Sequence, residues 1–147
     1  MVFDALVGQG DRHQDNWGIT RNETGNEMYI SPMYDNSACL GRDQTDESAY
    51  ELLRSPEKLM SFVLRSKSKL GWTDIRKAKH FELIDELIGI YPNEMSYYIR
   101  QLVRLTESRV EEAVFNLPQE VISDIQKQFV SRYILVRKNL LLEKVNE

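Results

Sequence analysis

Apolar positions along this chain fall into two regimes that meet near residue 50. In the first third they come as short runs broken by glycine and polar residues. Trp17-Gly18-Ile19-Thr20 and Met28-Tyr29-Ile30 read as two short strands, and Arg21 to Glu27, with Thr24-Gly25-Asn26 at its tip, supplies hairpin turn residues. Pro32 stops the ladder, and Tyr34-Asp35-Asn36-Ser37 opens a polar loop that runs to about Glu47. Beyond it the apolar residues recur every three or four positions. Ser55-Pro56-Glu57 starts a helix whose inner face is Leu59, Phe62 and Val63. Thr73 precedes a longer helix through Ile75, Ala78, Phe81, Leu83, Ile84, Leu87 and Ile88, ended by Gly89 and Pro92. Another runs from about Asn93 through Tyr97-Tyr98 to Leu102, and the next follows Thr106 with Val110, Ala113 and Val114. The last begins near Pro118, where Ile122, Ile125, Phe129, Tyr133, Val136 and Leu140 form one buried stripe. Ahead of Gly8, Phe3, Leu6 and Val7 have helical spacing over about two turns with no capping residue before them. The chain is therefore expected to start inside a helix, with something upstream removed.

These elements predict a mainly α single domain over residues 1–147. A small two-stranded β-hairpin lies within 1–47 and a helical bundle within 48–147. The 147 residues are 41% hydrophobic and 29% charged, which excludes a disordered tail, a collagen-like repeat and a disulfide-stapled miniprotein. A net charge of −4 offers no overall basic field to nucleic acid or an anionic membrane. The charge is uneven: residues 1–50 hold nine acids and three bases, whereas residues 51–147 hold 14 acids and 16 bases. Cys39 is the only cysteine, which rules out an internal disulfide and a cysteine zinc cage. Nothing in the sequence activates its thiol, and it is given no role. No run approaches the roughly 18 apolar residues of a membrane span, and the start lacks the features of a signal peptide, so a cytoplasmic location is expected. The basic stretch Arg65 to Lys79 reads as a solvated helix face in preference to a contact for an acidic substrate or a tRNA-bound partner, with His80 at its surface edge. Trp72, Tyr91, Tyr97 and Tyr98 read as core and rim aromatics.

The densest run of reactive side chains is Gly8-Gln9-Gly10-Asp11-Arg12-His13-Gln14-Asp15-Asn16, between the first helix and the hairpin. If the hairpin folds back on itself, Asp35 returns to the neighbourhood of Asn16, and Asp11, Asn16 and Asp35 share one mouth. Phosphoryl transfer needs such a set: one carboxylate orients the attacking hydroxyl and accepts its proton, and an amide oxygen with a second carboxylate holds Mg²⁺ against nucleotide phosphates. His13 fits a phosphate contact or proton shuttle, and equally a brace within the loop. Asp15 is expected to face solvent. Two histidines in all make a zinc site a poor fit.

Asp11 to Asn16 resembles the catalytic loop of HipA-like serine/threonine kinases, and its D-R-H-x-x-N form is also similar to that of phosphatidylinositol 3- and 4-kinases. Phe3-Asp4-Ala5-Leu6-Val7-Gly8 before the loop and Asn16-Trp17-Gly18-Ile19 after it agree with the HipA-like set. Ser31-Pro32-Met33-Tyr34-Asp35-Asn36-Ser37 resembles that family's metal segment, and the Pro118 helix its helical end. The resemblance implies a kinase-like C-lobe, with Asp11 and His13 as catalytic residues, Asn16 and Asp35 as Mg²⁺ ligands, and ATP as co-substrate. It further implies a protein acceptor with a Ser or Thr hydroxyl, and a bacterial toxin–antitoxin setting in which an antitoxin is a partner. Two departures stand out. Gln9-Gly10 replaces the usual Asn and small polar residue, a change expected to alter the loop's hydrogen bonding, and Asn36-Ser37 stands where ordinary kinases have Phe-Gly. A strand lysine and a nucleotide-covering glycine loop are not found, since Gly8-x-Gly10 is the one G-x-G and His13 takes the third glycine's place. The N-terminal ATP-gripping lobe is thus read as absent, to be supplied by another chain, and the isolated chain as inactive. The rivals are a lipid kinase fragment and a non-catalytic, kinase-derived interaction module.

Overall fold

A computed structural model describes residues 1–71 and 77–146. Among them the elements are α1 (Val2–Val7), β1 (Ile19–Arg21), β2 (Met28–Ile30), α2 (Asp46–Arg54), α3 (Pro56–Arg65), α4 (His80–Ile90), α5 (Pro92–Arg100), α6 (Glu107–Phe115) and α7 (Asp124–Glu143). Short 3₁₀ turns cover Gln14–Asn16 and Gln101–Arg104. The domain is mainly helical with one two-stranded antiparallel sheet, as the pattern predicts. The hairpin pairs Ile19 with Ile30, Thr20 with Tyr29 and Arg21 with Met28. Its turn is organised by Asn22, whose side-chain oxygen accepts from the Thr24 hydroxyl and the Asn26 and Glu27 amides.

The helices begin where side chains can occupy their free N–H groups. Thr45, Ser55, Thr106 and Ser123 each accept from the backbone N–H three residues on, and Ser123 with Gln126 completes a capping box. Helix α7 is the spine, packing against α1, α2, α3, α5 and α6. Phe129, Val130, Tyr133 and Leu141 are its buried apolar residues, and Phe62 of α3 meets the rings of Phe129 and Tyr133 edge-on or tilted at 6.0 and 5.8 Å. Arg137, one turn beyond Tyr133, is fully buried. Its Nε donates to the Ala5 carbonyl at 2.6 Å and its Nη1 to the Ser66 hydroxyl at 2.7 Å, while the guanidinium lies over the Phe81 and Tyr133 rings at 5.1 Å. One side chain thereby joins α1, the end of α3 and α4.

Several sequence expectations need correcting. The loop expected to reach Glu47 gives way at Asp46 to α2, which the pattern missed. The last helix starts at Asp124, because residues 118–122 form turns in which Val121 and Ile122 donate to the Pro118 carbonyl. The expected helix start at Thr73, with Trp72 and Ile75, lies outside the described residues. The described helix begins at His80, and buried Ala78 precedes it, its carbonyl accepting from Ser68 N–H. Gly89 sits inside α4 and does not end it. Tyr91, Tyr97 and Tyr98 are exposed, and His80 is buried at 1% exposure. No helix among the described residues is long and apolar enough to cross a membrane.

Gly8 closes α1 in the left-handed conformation at φ 66°, and a Cβ there would lie 2.0 Å from the Tyr133 hydroxyl. At Gly10 the nearest atoms would be 3.7 Å away. Gly8→Ala is therefore expected to destabilise the domain by about 2–4 kcal/mol and Gly10→Ala by less than about 1 kcal/mol, read from urea unfolding midpoints.

Candidate active site

Three loops converge at the C-terminal end of α1. The Gly8–Asn16 segment leaves the helix, the 31–40 segment returns from the hairpin, and residues 66–70 follow α3. Backbone bonds splice the first two: Gly10 N–H donates to the Ala38 carbonyl at 2.9 Å and Leu40 N–H to the Val7 carbonyl at 2.8 Å. Side chains do the rest.

Arg12 is 3% exposed and every nitrogen of its guanidinium is used. Nη2 pairs with the buried Asp4 carboxylate of α1 at 2.8 Å and donates to Asn36 Oδ1 at 2.6 Å. Nη1 donates to the Tyr34 carbonyl at 2.9 Å and the Asn16 carbonyl at 3.0 Å, and Nε completes the fork to Asp4. The planar five-donor head of arginine suits a junction of four acceptor groups in a way no lysine could. Arg12 thus fixes the residues on both sides of Asp35 against the end of the Asp11–Asn16 loop.

Gln9 forms a second bridge. It is fully buried; its Oε1 accepts from Asp11 N–H at 3.2 Å and its Nε2 donates to the Asp35 carbonyl at 3.0 Å. Its own carbonyl faces His80 Nε2 at 2.8 Å. A carbonyl only accepts, so Nε2 carries the proton, and Nδ1, 3.1 Å from the Ser66 hydroxyl, is the acceptor in the neutral ring. Burial and then the nearby Arg137 charge push the His80 pKa down to about 4. Gln9, the departure noted in the sequence, thereby links the two candidate loops.

The residues singled out by sequence are placed as follows. Asp11 pairs with Lys69, whose hydrogen bond and charge hold its carboxyl below the usual carboxylate range. Asn16 is buried, and its Nδ2 donates to the Asp11 carbonyl at 2.9 Å, which fixes the amide so that Oδ1 is its remaining donor atom to a ligand. Asp35 sits at φ 52° and is exposed; its Oδ1 accepts from the Ser37 hydroxyl at 2.9 Å. His13 Nδ1 accepts from Asp15 N–H at 3.3 Å, capping the 3₁₀ turn, and Asp15 faces solvent. The two candidate loops are brought together, with Asp11 joined to Asn16 by a direct hydrogen bond and to Asp35 through Gln9. Lys69 and His80 are the participants that sequence reasoning missed.

The oxygen set suits Mg²⁺ in one respect: an amide oxygen of fixed orientation and one carboxylate are hard donors. Among the described residues no group of three His, Cys, Asp or Glu side chains could hold an ion unaided. An ion held by these two oxygens would take its other ligands from waters and phosphate oxygens.

With this geometry in hand, comparison with known proteins is informative. No family model matches the chain. A search of curated proteins finds serine/threonine-protein kinase CtkA of Helicobacter pylori, 24% identical over 152 residues that cover 97% of this chain and 43% of that kinase. The crystal structure of a Helicobacter pylori proinflammatory kinase CtkA superposes with a TM-score of 0.73 and 24% identity, covering 98% of this chain and 51% of that one. The fold is that of a kinase. This chain spans about half the length of the proteins it matches.

Two titrations test the site's electrostatics. Replacing Lys69 by Met removes the partner that depresses Asp11, so an NMR titration of the Asp11 carboxyl is expected to show its midpoint move to higher pH; an unmoved midpoint contradicts the pairing. His80 is neutral in the folded state and takes a proton more readily when unfolded, so stability is full above about pH 6.5 and falls as pH drops toward 4. The loss between pH 7.5 and pH 5 is expected to be on the order of 2 kcal/mol from this residue, and to vanish from the pH dependence of His80→Gln.

Proposed function

We propose that this chain is the catalytic-loop and helical lobe of an ATP- and Mg²⁺-dependent serine/threonine protein kinase of HipA-like type. The observation that carries the reading is the double bridge, through Arg12 and Gln9, that ties the Asp11–Asn16 loop to the segment around Asp35. Similarity over nearly the whole chain to a protein named as a serine/threonine kinase supports it.

In this reading Asp11 accepts a hydrogen bond from the acceptor hydroxyl and aligns its oxygen for attack. Its depressed pKa makes it a weak base, so it takes the proton late, as the bond to phosphorus forms; a loose phosphoryl-transfer transition state asks for no more. Asn16 Oδ1 and the Asp35 carboxylate would hold Mg²⁺, which when bound neutralises charge on the nucleotide phosphates. His13 has Nδ1 engaged in the turn, leaving Nε2 as a donor toward a phosphate oxygen. Arg12, Gln9 and His80 act through the others, keeping both loops in register.

ATP gripping would come from a further lobe, carried by another segment or another polypeptide. Two features support this: the sequence has no strand lysine paired with a glycine-rich loop, and the hairpin exposes Trp17, Ile19, Met28, Tyr29 and Ile30 together. Alone, the chain is then inactive. The same exposed hairpin is what favours the second reading, a kinase-derived module that binds a protein without catalysis.

A single-turnover assay with labelled ATP separates the readings. With the part of the similar H. pylori kinase that this chain does not match joined to it, label is expected to pass to a Ser- or Thr-containing protein. Asp11→Ala is expected to lower the rate by about 100- to 10,000-fold. Asp35→Asn is expected to weaken Mg²⁺-dependent ATP binding. Transfer that survives Asp11→Ala, or ATP affinity indifferent to Asp35→Asn, contradicts the assignment.

A further inference from the structure

Asp11 lies on the wall of a cleft of about 650 Å³ that Asn16 and Asp35 do not line. Its floor carries the Phe62 and Tyr133 side chains, and its rim carries Arg42, Arg65 and Lys67. The cleft therefore reaches Asp11 without being walled by either candidate Mg²⁺ ligand. If phosphate and metal occupy one side of the carboxylate, an attacking hydroxyl approaches from the other.

The charge of this cleft runs against that of its surroundings. Residues 1–50 carry nine acids and three bases. Yet among the described residues the only acid lining the cleft besides Asp11 is Asp43, which lies 3.4 Å from the Arg42 Nε. Arg65 and Lys67 are exposed and form no ion pair among the described residues, although the Lys67 charge reaches Glu82 and helps lower its pKa; Lys69 neutralises Asp11 beside the cleft. Arg42 is held in place by donating to the Ser37 carbonyl at 3.3 Å, within the segment that follows Asp35. Like charges gathered at a concave, partly apolar wall focus the potential there, and that potential favours an anionic chain over a neutral or basic one.

We propose that this cleft is the acceptor site and that it selects a Ser- or Thr-containing segment flanked by acidic side chains. The proposal rests on the phosphotransfer reading for the role of the hydroxyl, but the binding it requires needs neither nucleotide nor metal. Arg65 and Lys67 are specificity-determining residues, one at the end of α3 and the other just beyond it. Their charges meet carboxylates of the acceptor while the half-buried Phe62 ring contacts its apolar parts. Cys39 also lines the cleft and is the chain's single cysteine, so it serves as a reporter of occupancy. Burial pushes its thiol pKa up, which makes alkylation slow enough to time at mildly alkaline pH.

The test is fluorescence anisotropy of labelled peptides titrated with the chain at low ionic strength, without ATP or Mg²⁺. Three peptides share one serine-centred sequence: one flanked by Glu, one with each Glu replaced by Gln, and one with phosphoserine in place of the flanking Glu residues. The Glu peptide is expected to bind at least about tenfold more tightly than the Gln peptide, to weaken with added salt, and to slow iodoacetamide alkylation of Cys39. The double variant R65E/K67E is expected to lose that preference at an unchanged melting temperature, since both positions are exposed. Equal binding of the Glu and Gln peptides overturns the proposal, as does a preference untouched by R65E/K67E or unprotected Cys39. Binding of the phosphoserine peptide alone also overturns it, in favour of a site for segments already phosphorylated. A kinase that fails to transfer phosphate leaves this readout intact, so the two proposals fail separately.

Discussion

The Arg12 guanidinium, buried against the Asp4 carboxylate, is the constraint on which the rest of the site depends. Taking two charges out of water is costly, and their attraction offsets that cost only when every donor finds an acceptor. Here each does: Asp4 lies in α1, the Asn16 carbonyl ends one loop, and the Tyr34 carbonyl and Asn36 Oδ1 flank Asp35 in the other. A hydrophobic residue in place of Arg12 would leave Asp4 charged and unpaired, a loss on the order of 3–5 kcal/mol, and would release both loops at once. The ion pair is thus better understood as a device for specificity of arrangement than as a source of stability.

A second layer couples this junction to the helical core. Gln9 is tied to His80, His80 to Ser66, Ser66 to Arg137, and Arg137 to the α1 carbonyl of Ala5 and the Tyr133 hydroxyl. The relay begins at the loop bearing Asp11 and ends on α7, the spine of the domain. Each member is buried or partly buried, so each bond acts in a medium where a missing partner is expensive. Rigidity at the loops is inherited from the packing of α7 against its neighbours, and Gly8 is the point where the two meet, since only a residue without Cβ can turn the chain beside Tyr133.

What was legible in the sequence was local. Ser55-Pro56 and Thr106 announced α3 and α6 because caps act within one turn, and the Asp11–Asn16 and Asp35 pairing followed from the hairpin between them. Two local signals were passed over: Thr45 ahead of Asp46 and Glu47 marks α2, and Ser123 with Gln126 marks the true start of α7. His80, Lys69 and Arg137 were different in kind. A histidine and a lysine in or beside a basic stretch read as surface residues, an arginine inside a helix carries no signal of burial, and only partners distant in sequence, namely Gln9, Asp11 and Ala5, give them their places. The same holds for the positive rim of the cleft, whose members come from two separate segments and acquire meaning only when folded beside Asp11.

In the proposed reading, Arg12 holds two oxygen-bearing loops close enough to share one divalent cation. Paramagnetic broadening by Mn²⁺, a stand-in for Mg²⁺ that reports weak binding, tests it directly. In the NMR spectrum of the wild-type chain the amides near Asn16 and Asp35 are expected to broaden together at the same low Mn²⁺ concentration, and in Arg12→Leu this shared response is expected to disappear while α6 and α7 resonances persist. Broadening confined to other acidic residues, or a shared response indifferent to the loss of Arg12, would contradict it.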